Sequence, residues 1–480
     1  MNRFTDKVIG NTFWLLSQKI VGRGLSLLLT IYLARELGSL NFGKLTFAIS
    51  FGSIFLIFSD MGLTTLTVRE VARYRDKGSE YIGKTLPLKI FISILAFLMV
   101  YISSVIVKLS PDIKIIVYLI AAYLILQNIG AFFGAIFQAY ENMRYMMISG
   151  IIQRVFLLFG CLILLYIGYG IISVCFCYLL SSIFYCLLSI NFTYSRFLQP
   201  RYQINIRFWK ESLKKSLPLA LIFIISMLYY HTDIIMLGKM KGQEVVGWYG
   251  VSYRIFFTLA TLAGAFLGAI FPVMSRVFKQ SPKLLNKTYQ KSIKLMVGIG
   301  IPLSILTYLL SEKIIFFLFG PEYICSISIL RIFSLLLTFS YLNGLAGYFL
   351  TSTNRQMLTV KILAITTSIN IFLNFIFIPH YSYIGAAYAT VVSEILFYSI
   401  FYFSVPEKIP SIPLREIGKL IISCLVMVVL VVVLKQRALN LLLILGSGLV
   451  VYFYCIWVTG YISAEEKVKL KNIFMTAKTK

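Results

Sequence analysis

Two cations, Lys19 and Arg23, lie inside the first long apolar stretch of the chain, residues 8–34. They are four residues apart, so a helix places both on one face, and Ser26 and Thr30 continue that face. A cation near the centre of a bilayer costs about 3 kcal/mol even on the lenient translocon scale. Two of them on one stripe therefore predict a water-filled or protein-lined cavity beside this helix. An anion is the natural partner for such a cavity.

The composition indicates that these residues lie in a membrane. Of the 480 residues, 59% are hydrophobic and 13% are charged, whereas ordinary soluble domains are about one-quarter charged. The chain is therefore a polytopic membrane protein. Its formal net charge of +27 comes largely from Lys and Arg in short loops between apolar stretches, a pattern typical of loops on the cytoplasmic side. A nucleic-acid partner is not expected, because no soluble basic face with stacking aromatic residues is present.

Apolar runs separated by charged or turn-rich breaks predict an all-α fold with about 14 transmembrane helices. The predicted spans are residues 11–33, 44–67, 86–107, 115–137, 146–167, 170–194, 216–238, 248–273, 292–311, 324–350, 357–379, 383–405, 416–434 and 439–462. An N-terminus in the cytoplasm places the basic clusters on the inner side. An even number of spans then places the C-terminus there as well.

An internal repeat divides these spans into two lobes. Gly38 and Gly43 join spans one and two, and Gly242 and Gly247 join spans seven and eight at the same spacing. Six spans separate the two copies, so both have the same orientation, and two six-helix bundles with a binding site between them are a transporter plan. The predicted organisation is an N-terminal lobe (1–195), a basic cytoplasmic linker (196–215), a C-terminal lobe (216–405), and a helix pair with a basic cytoplasmic tail (406–480).

Depth along the spans predicts which charges meet. With a rise of about 1.5 Å per residue, Lys19 and Asp60 lie at similar depths in adjacent antiparallel helices, which predicts an ion pair between them. Arg23 is one turn deeper and has no carboxylate at its depth in span two, so it is the first candidate for binding an anion. Lys89 lies near the start of span three and is expected to extend its ammonium group to the headgroups.

Other intramembrane polar residues give further candidates. Asp233 and Arg254 have similar depths, which predicts an ion pair near His231, with a binding role and a purely stabilising role both open. Arg154 either lines the same cavity as Arg23 or extends to the inner headgroups. Glu394 has no partner by depth and is a candidate for binding a coupling ion. The amides that either face the cavity or join helices are Gln127, Asn128, Asn343, Asn370 and Asn374.

No catalytic or metal-binding constellation stands out. His231 and His380 are the only histidines, and none of the seven cysteines has metal-ligand spacing with them. The sequence therefore predicts a protein that is not an enzyme and has no cofactor or bound metal, with coupling to H+ or Na+ left open.

Several short motifs carry a family resemblance. They are LARELG at 33–38, NFG at 41–43, SDMGL at 59–63, REVAR at 69–73, LFGPEY at 318–323 and ILR at 329–331. Together they resemble Wzx-type polysaccharide-repeat-unit flippases of O-antigen and capsule synthesis. These flippases are members of the multidrug/oligosaccharidyl-lipid/polysaccharide exporter superfamily.

The resemblance implies a protein of the bacterial inner membrane that moves undecaprenyl-pyrophosphate-linked oligosaccharide to the outer leaflet by alternating access. The implied partners are this lipid-linked glycan, membrane lipids, and the polymerase and chain-length regulator of the pathway. Cationic side chains in a wet cleft can replace the hydration of a pyrophosphate. The candidates for that role are Arg23, Lys19, Arg154 and Arg254. The candidates for ion pairing or coupling are Asp60, Asp233, His231 and Glu394.

Three alternatives remain open. A cation-coupled drug exporter of the same superfamily would favour acidic cavity residues, and the cations of the first helix argue against it. A lipid-linked peptidoglycan-precursor flippase would share both the fold and a cationic cavity. A membrane-embedded glycan polymerase belongs to another class and should have a large extracytoplasmic loop, whereas every predicted outside loop here is short.

Overall fold

The structure is a computed structural model that describes residues 2–405, 413–437 and 439–461, and every regular element in these ranges is a helix. The helices are α1 (Asn2–Asp60), α2 (Leu63–Arg73), α3 (Gly78–Ile106), α4 (Pro111–Ala139), α5 (Met143–Tyr166), α6 (Ile171–Arg196), α7 (Ile206–Met240), α8 (Gln243–Ala260), α9 (Leu262–Phe278), α10 (Pro282–Leu318), α11 (Ser326–Ser352), α12 (Gln356–Ser404), α13 (Leu414–Gln436) and α14 (Leu441–Val458). Short 3-10 helices at Arg75–Lys77 and Pro321–Tyr323 lie before α3 and α11.

The described residues contain 12 helical stretches that are long and apolar enough to cross a membrane. Two of these stretches are interrupted. The backbone leaves the helical region at Gly38 in α1, with φ of 71°, and at Ser382 in α12, with φ of 51°. Division at these two positions gives fourteen segments, so the predicted all-α fold with about fourteen transmembrane helices is confirmed.

The second predicted span ends earlier than its apolar run. Helix α1 ends at Asp60, and the next two residues, Met61 and Gly62, have positive φ values of 44° and 77°. Left-handed residues cannot continue a right-handed helix, and glycine adopts this conformation at no steric cost. Helix α2 then starts at Leu63. The break therefore places Asp60 at a helix end inside the protein rather than in the middle of a continuous span.

The chain packs into two compact units, Met1–Gly250 and Val251–Lys480. This division differs from the predicted lobes, which meet at the linker 196–215. Helix α7 packs against α1, α2 and α3, so the seventh span belongs to the first unit by its contacts. The lobes derived from the repeat stay a prediction about symmetry, whereas the units report packing.

The two turns of the predicted repeat pack against each other within the first unit. Gly38 and Gly242 both have positive φ, 71° and 96°. A Cβ atom on Gly43 would lie 1.7 Å from the carbonyl oxygen of Gln243, and one on Gly247 would lie 2.1 Å from that of Ser39. Each copy thus uses its second glycine to approach the backbone that follows the first glycine of the other copy. Neither position has room for a side chain.

The core of the first unit fixes α2, α3 and α4 together. Val71, Ile82, Phe132 and Ile136 belong to one fully buried apolar cluster. A smaller cluster joins Leu63, Leu88 and Ile92, and partly buried Trp209 and Leu213 of α7 pack on it. These contacts hold α2, the N-terminal half of α3, the C-terminal end of α4 and the start of α7 in one place.

The predicted basic linker contacts the start of α3. The backbone amide of Arg201 donates to the carbonyl of Ser79, and that of Gln203 donates to the carbonyl of Gly83, both at 3.2 Å. The carbonyl of Gly83 would normally accept a hydrogen bond from the N–H of residue 87 within the helix. Residue 87 is proline and has no N–H, so the bond from Gln203 takes its place. The indole of Trp209 donates to the carbonyl of Lys84 at 3.0 Å.

In the second unit, α10 packs against α9, α11, α13 and α14. The last helix pair is fastened to α10 by polar contacts around Lys294. Its ammonium group forms an ion pair with Glu416 at 2.8 Å, and its backbone carbonyl accepts a hydrogen bond from the Tyr461 hydroxyl at 2.7 Å. The predicted final helix pair is therefore joined to the second unit.

Candidate functional site

The cations of the first span lie at the surface of α1. Lys19 and Arg23 are exposed, and no ion pair or hydrogen bond joins either side chain to another described residue. Ser26 and Thr30 lie on the same helix face. Their hydroxyls donate to the carbonyls of the residues four positions earlier, each at 2.8 Å. The two hydroxyls are thus satisfied by the helix, and the two cations are the groups left to bind a ligand.

A third cation, Arg154 of α5, lies across the same part of α1. Its guanidinium nitrogen Nη1 is 3.5 Å from the carbonyl oxygen of Gln18, and a Cβ atom on Gly22 would lie 1.7 Å from Nη1. Arg154 is half-buried and is close enough to Arg23 for the two charges to act on each other. We refer to Lys19, Arg23 and Arg154 as the cationic face.

The cationic face has no neutralising carboxylate among the described residues. Like charges held close together are unfavourable unless an anion or water compensates them. Both roles that the sequence left open for Arg154, lining a cavity with Arg23 and reaching the inner headgroups, stay predictions. The assignment of these side chains as ligands stays a prediction.

A second polar region is built at the break between α1 and α2. The Oδ1 atom of Asp60 accepts hydrogen bonds from the backbone amide of Thr64 at 3.3 Å and from the Thr64 hydroxyl. Lys89 of α3 also donates to Oδ1 and forms an ion pair with the carboxylate. Capping of α2 by a carboxylate complements the positive end of the helix dipole.

Lys89 is the central donor of this region. Its side chain is 0% exposed, and the ammonium group donates to Asp60, to the Thr64 hydroxyl at 3.0 Å and to Oδ1 of Asn128 at 3.0 Å. These three bonds use the full donor capacity of an ammonium group. The Asn128 amide in turn donates to the Ser59 hydroxyl at 2.7 Å. We call these five residues, Ser59, Asp60, Thr64, Lys89 and Asn128, the Asp60 cluster.

Two predictions about this region are wrong. Asp60 pairs with Lys89 and not with Lys19, which is exposed and unpaired among the described residues. Lys89 does not extend to the headgroups, because α3 begins at Gly78 and places this residue about three turns into the helix. The predicted span three starts at residue 86, eight residues after the start of α3. Depth counted from residue 86 therefore places Lys89 too close to the end of the helix.

The Asp60 cluster lies beside a cavity of about 420 Å³ in the first unit. This volume is within the range of about 300–1,000 Å³ that is usual for small-molecule sites. Asp60, Thr64, Gln127 and Asn128 contribute polar groups to its wall. The remaining lining residues are Ser53, Leu56, Ile57, Met61, Gly62, Thr65, Leu124, Ala131, Ala220, Phe223 and Met227. We call this space the Asp60 cavity.

Asp233 and His231, the polar candidates of span seven, lie in α7. Asp233 is buried and accepts a hydrogen bond from the Tyr249 hydroxyl at 2.9 Å. The buried Nδ1 atom of His231 has no hydrogen-bond partner among the described residues. Asp233 and Arg254 belong to different units, and their predicted ion pair stays a prediction.

Glu394 of α12 has a partner that depth did not reveal. The Asn343 amide of α11 donates to the Glu394 carboxylate at 2.6 Å and to its backbone carbonyl at 2.9 Å. Asn343 therefore joins two helices, one of the two roles open to it. Within α12, Asn374 donates to Asn370 at 3.0 Å, with both side chains buried. The coupling role of Glu394 stays a prediction.

In the part of the chain that the structure describes, no group of three or more His, Cys, Asp and Glu side chains could hold a metal ion. The polar regions are instead sets of hydrogen-bonding and cationic groups. Such groups can bind and orient a solute.

The described residues form fourteen apolar helical segments, several with charged side chains within them, and this identifies a multi-pass, all-helical membrane protein. The chain belongs to the polysaccharide biosynthesis protein family, whose model matches residues 8–278, more than half of its length. The model of the MatE family matches residues 218–376. The resemblance to polysaccharide exporters that the motifs predicted is thereby confirmed.

Relatives with described roles agree with this assignment. The chain is 26% identical over 349 residues to the capsular polysaccharide biosynthesis protein CapF of Staphylococcus aureus, covering 71% of this chain and 86% of that protein. It is 26% identical over 364 residues to a putative O-antigen transporter of Shigella flexneri, covering 71% and 82%. The fold is similar to that of the lipid II flippase MurJ in its inward closed conformation, with a TM-score of 0.78, 16% identity, and coverage of 94% and 99%.

Proposed function

We propose that this protein moves undecaprenyl-pyrophosphate-linked oligosaccharide units from the cytoplasmic to the outer leaflet of a bacterial inner membrane, for O-antigen or capsule synthesis. Alternating access is the proposed mechanism, with both termini in the cytoplasm and H+ or Na+ as the coupling ion. The polymerase and chain-length regulator of the pathway are proposed partners. Membership in the polysaccharide biosynthesis protein family supports the substrate class.

The cationic face is the observation that carries this proposal. A pyrophosphate cannot cross hydrocarbon unaided, because an unpaired charge in a low-dielectric medium is strongly unfavourable. The Arg154 guanidinium lies over Gly22, the residue before Arg23, and neither arginine has a carboxylate partner among the described residues. Guanidinium groups bind phosphate oxygens with two parallel hydrogen bonds, so a pair of arginines suits a pyrophosphate better than a pair of lysines.

The same observation separates the alternatives. An exporter of cationic drugs would be opposed by three unneutralised cations at its binding surface. A peptidoglycan-precursor flippase would use the same pyrophosphate chemistry, so the cationic face does not distinguish it from the proposed function. Genetic complementation distinguishes the two functions. The proposed function requires that the protein rescue a strain that lacks its O-antigen or capsule flippase, and that it not rescue a strain depleted of its peptidoglycan-precursor flippase.

The first prediction concerns Arg23. Arg23→Ala should reduce surface-glycan export at least about tenfold, because hydrogen bonds to charged groups contribute about 1.5–3 kcal/mol each. Arg23→Lys should recover part of that loss, since it restores the charge without the planar fork. The measurement is glycan at the cell surface in the complemented strain, with membrane insertion checked by immunoblot.

The matched control is Arg207→Ala, which removes an arginine with a 92% exposed side chain at the start of α7. This variant should export normally. Normal export by Arg23→Ala at normal protein level would remove the proposed pyrophosphate role of the cationic face.

A further inference from the structure

The Asp60 cavity contains polar groups that the fold itself does not use. All three hydrogen bonds to the Asp60 carboxylate go to Oδ1, and Oδ2 has no donor among the described residues. The side chain is 26% exposed and lines the cavity. The Gln127 amide lines the same cavity, and neither its oxygen nor its nitrogen bonds to a described residue. The cavity therefore has an acceptor from Asp60 and both a donor and an acceptor from Gln127.

The electrostatics of the cavity differ from those of the cationic face. Lys89 neutralises the charge of Asp60 through an ion pair while its own ammonium group remains buried. No lysine or arginine lines the cavity. An anion would thus meet a carboxylate oxygen with no exposed cation, which is unfavourable. The Asp60 carboxylate already forms an ion pair with Lys89, so a cationic ligand is not needed to neutralise it. An uncharged hydrogen-bonding ligand fits best.

The rest of the wall is apolar except at Ser53 and Thr65. Leu124, Phe223 and Met227 lie on it together with other aliphatic residues, and Phe223 is 53% exposed. A ligand for this site must have hydroxyl or amide groups for Asp60 and Gln127, and apolar C–H faces for the hydrophobic side chains. Sugar rings combine these two properties.

We propose that the Asp60 cavity is a carbohydrate subsite, which holds one sugar of the translocated glycan through Asp60 and Gln127 at a place separate from the cationic face. This inference rests on the proposed function, because the sugar is taken to be part of the lipid-linked substrate. Lys89 acts as a positioning residue: by binding Oδ1 it leaves Oδ2 for a ligand hydroxyl.

Binding of two lipids that differ by one sugar tests the subsite. The full-length protein in lipid nanodiscs is titrated with undecaprenyl pyrophosphate and with undecaprenyl-pyrophosphoryl-N-acetylglucosamine. Gln127→Leu keeps the approximate size of the side chain and removes its amide. It should weaken binding of the sugar-bearing lipid about tenfold, as expected when a polar group of the ligand loses its partner, and leave binding of undecaprenyl pyrophosphate unchanged.

The control is Gln138→Leu, the same substitution at an exposed position of α4. It should leave both dissociation constants unchanged. Asp60→Asn is the second variant, and its melting temperature shows whether the cluster still folds; if it does, the loss should again be confined to the sugar-bearing lipid. Equal weakening of both lipids by Gln127→Leu would overturn the subsite and place the pyrophosphate in the cavity.

Three further outcomes lead to different conclusions. Tight binding of tetraphenylphosphonium that Gln127→Leu or Asp60→Asn abolishes would make the cavity an organic-cation site and overturn the proposal. Failure of the unchanged protein to bind either lipid would contradict the proposed function itself. If both lipids bind and Gln127→Leu changes neither dissociation constant, only the carbohydrate subsite is wrong.

Discussion

The cationic face and the Asp60 cluster are two polar regions of the same unit, and they treat their charges in opposite ways. Arg23 is exposed and unpaired among the described residues, whereas Lys89 is fully buried and donates to three acceptors. A buried cation is tolerated only when it is paired and hydrogen-bonded. An unpaired exposed cation keeps its bonding capacity for a ligand. Burial and partners, rather than residue type, therefore separate the charge that serves the fold from the charge that can serve transport.

The same comparison explains why the two regions suit different parts of one substrate. The cationic face holds three positive charges with no compensating carboxylate among the described residues, and it therefore suits phosphate groups. The Asp60 cavity has a neutralised ion pair and free neutral hydrogen-bonding groups, and it therefore suits sugars. A lipid-linked glycan contains both chemistries in sequence. The contrast predicts that loss of the buried Lys89 charge acts mainly on stability and that substitutions on the face act on export.

The largest effect is expected at Lys89. Lys89→Met keeps most of the apolar stem and removes the ammonium group, which leaves Asp60, Thr64 and Asn128 without their common donor. Removal of one partner of a buried ion pair costs about 3–5 kcal/mol. We expect about 3 kcal/mol of lost unfolding free energy, at the lower end because Asp60 is 26% exposed. Equilibrium unfolding of the purified protein in detergent measures it.

Two controls sharpen this prediction. Lys84→Met removes another paired lysine of α3, whose partner Glu80 is 52% exposed, and it should cost less than about 1 kcal/mol. The double variant Asp60→Asn with Lys89→Met removes both charges and should recover part of the loss, since no unpaired carboxylate remains. If Lys89→Met were no more destabilising than Lys84→Met, the cluster would not be the stabilising region that the comparison requires.

An intermediate effect is expected at Gly22, under the Arg154 guanidinium. Gly22→Ala would place a methyl group where Nη1 now lies, and the long arginine side chain can move away. Unfolding free energy should therefore not fall, since alanine is favoured over glycine in helices. Export should fall about fivefold, the equivalent of one displaced hydrogen bond of about 1 kcal/mol. Export assays and unfolding of the same variant separate the two effects.

Gly24 provides the matched control, because a Cβ atom there meets nothing within 4 Å. Gly24→Ala should export normally and be as stable as the Gly22 variant. Equal export by the two variants would show that the position of Arg154 over α1 is not needed, and the cationic face would then be reduced to Lys19 and Arg23.

Features that depend on one helix or on the chain direction could be predicted from the sequence. The lengths of apolar runs predicted the number of spans, and the glycine spacing identified the turns at Gly38 and Gly242, whose positive φ values require glycine. The motif SDMGL contributed to the family assignment and contains the helix break after Asp60. Lys19 and Arg23 were recognised because cations in an apolar run are unusual.

Features that depend on packing between helices could not be predicted. Depth along the membrane is one coordinate, and it does not determine which helices are neighbours. Depth therefore matches Asp60 with Lys19, whereas the packing of α3 and α4 against α1 selects Lys89 and adds Asn128. Depth and charge give Glu394 no partner for the same reason, because Asn343 is an uncharged amide on another helix.

The smallest effect is expected at Lys19, and it tests the comparison from the opposite side. Because Lys19 is exposed and does not pair with Asp60, Lys19→Ala should change unfolding free energy by no more than about 0.5 kcal/mol. Export should fall about twofold at low ionic strength and less at high salt, since exposed charges are screened within about 10 Å at 0.1 M. Exchange of the two charges, Lys19→Asp with Asp60→Lys, should not restore export or stability lost in Asp60→Lys alone. Rescue by the exchange would show that Lys19 and Asp60 meet in another conformation, and the division between a ligand-binding face and a stabilising cluster would then hold for this conformation only.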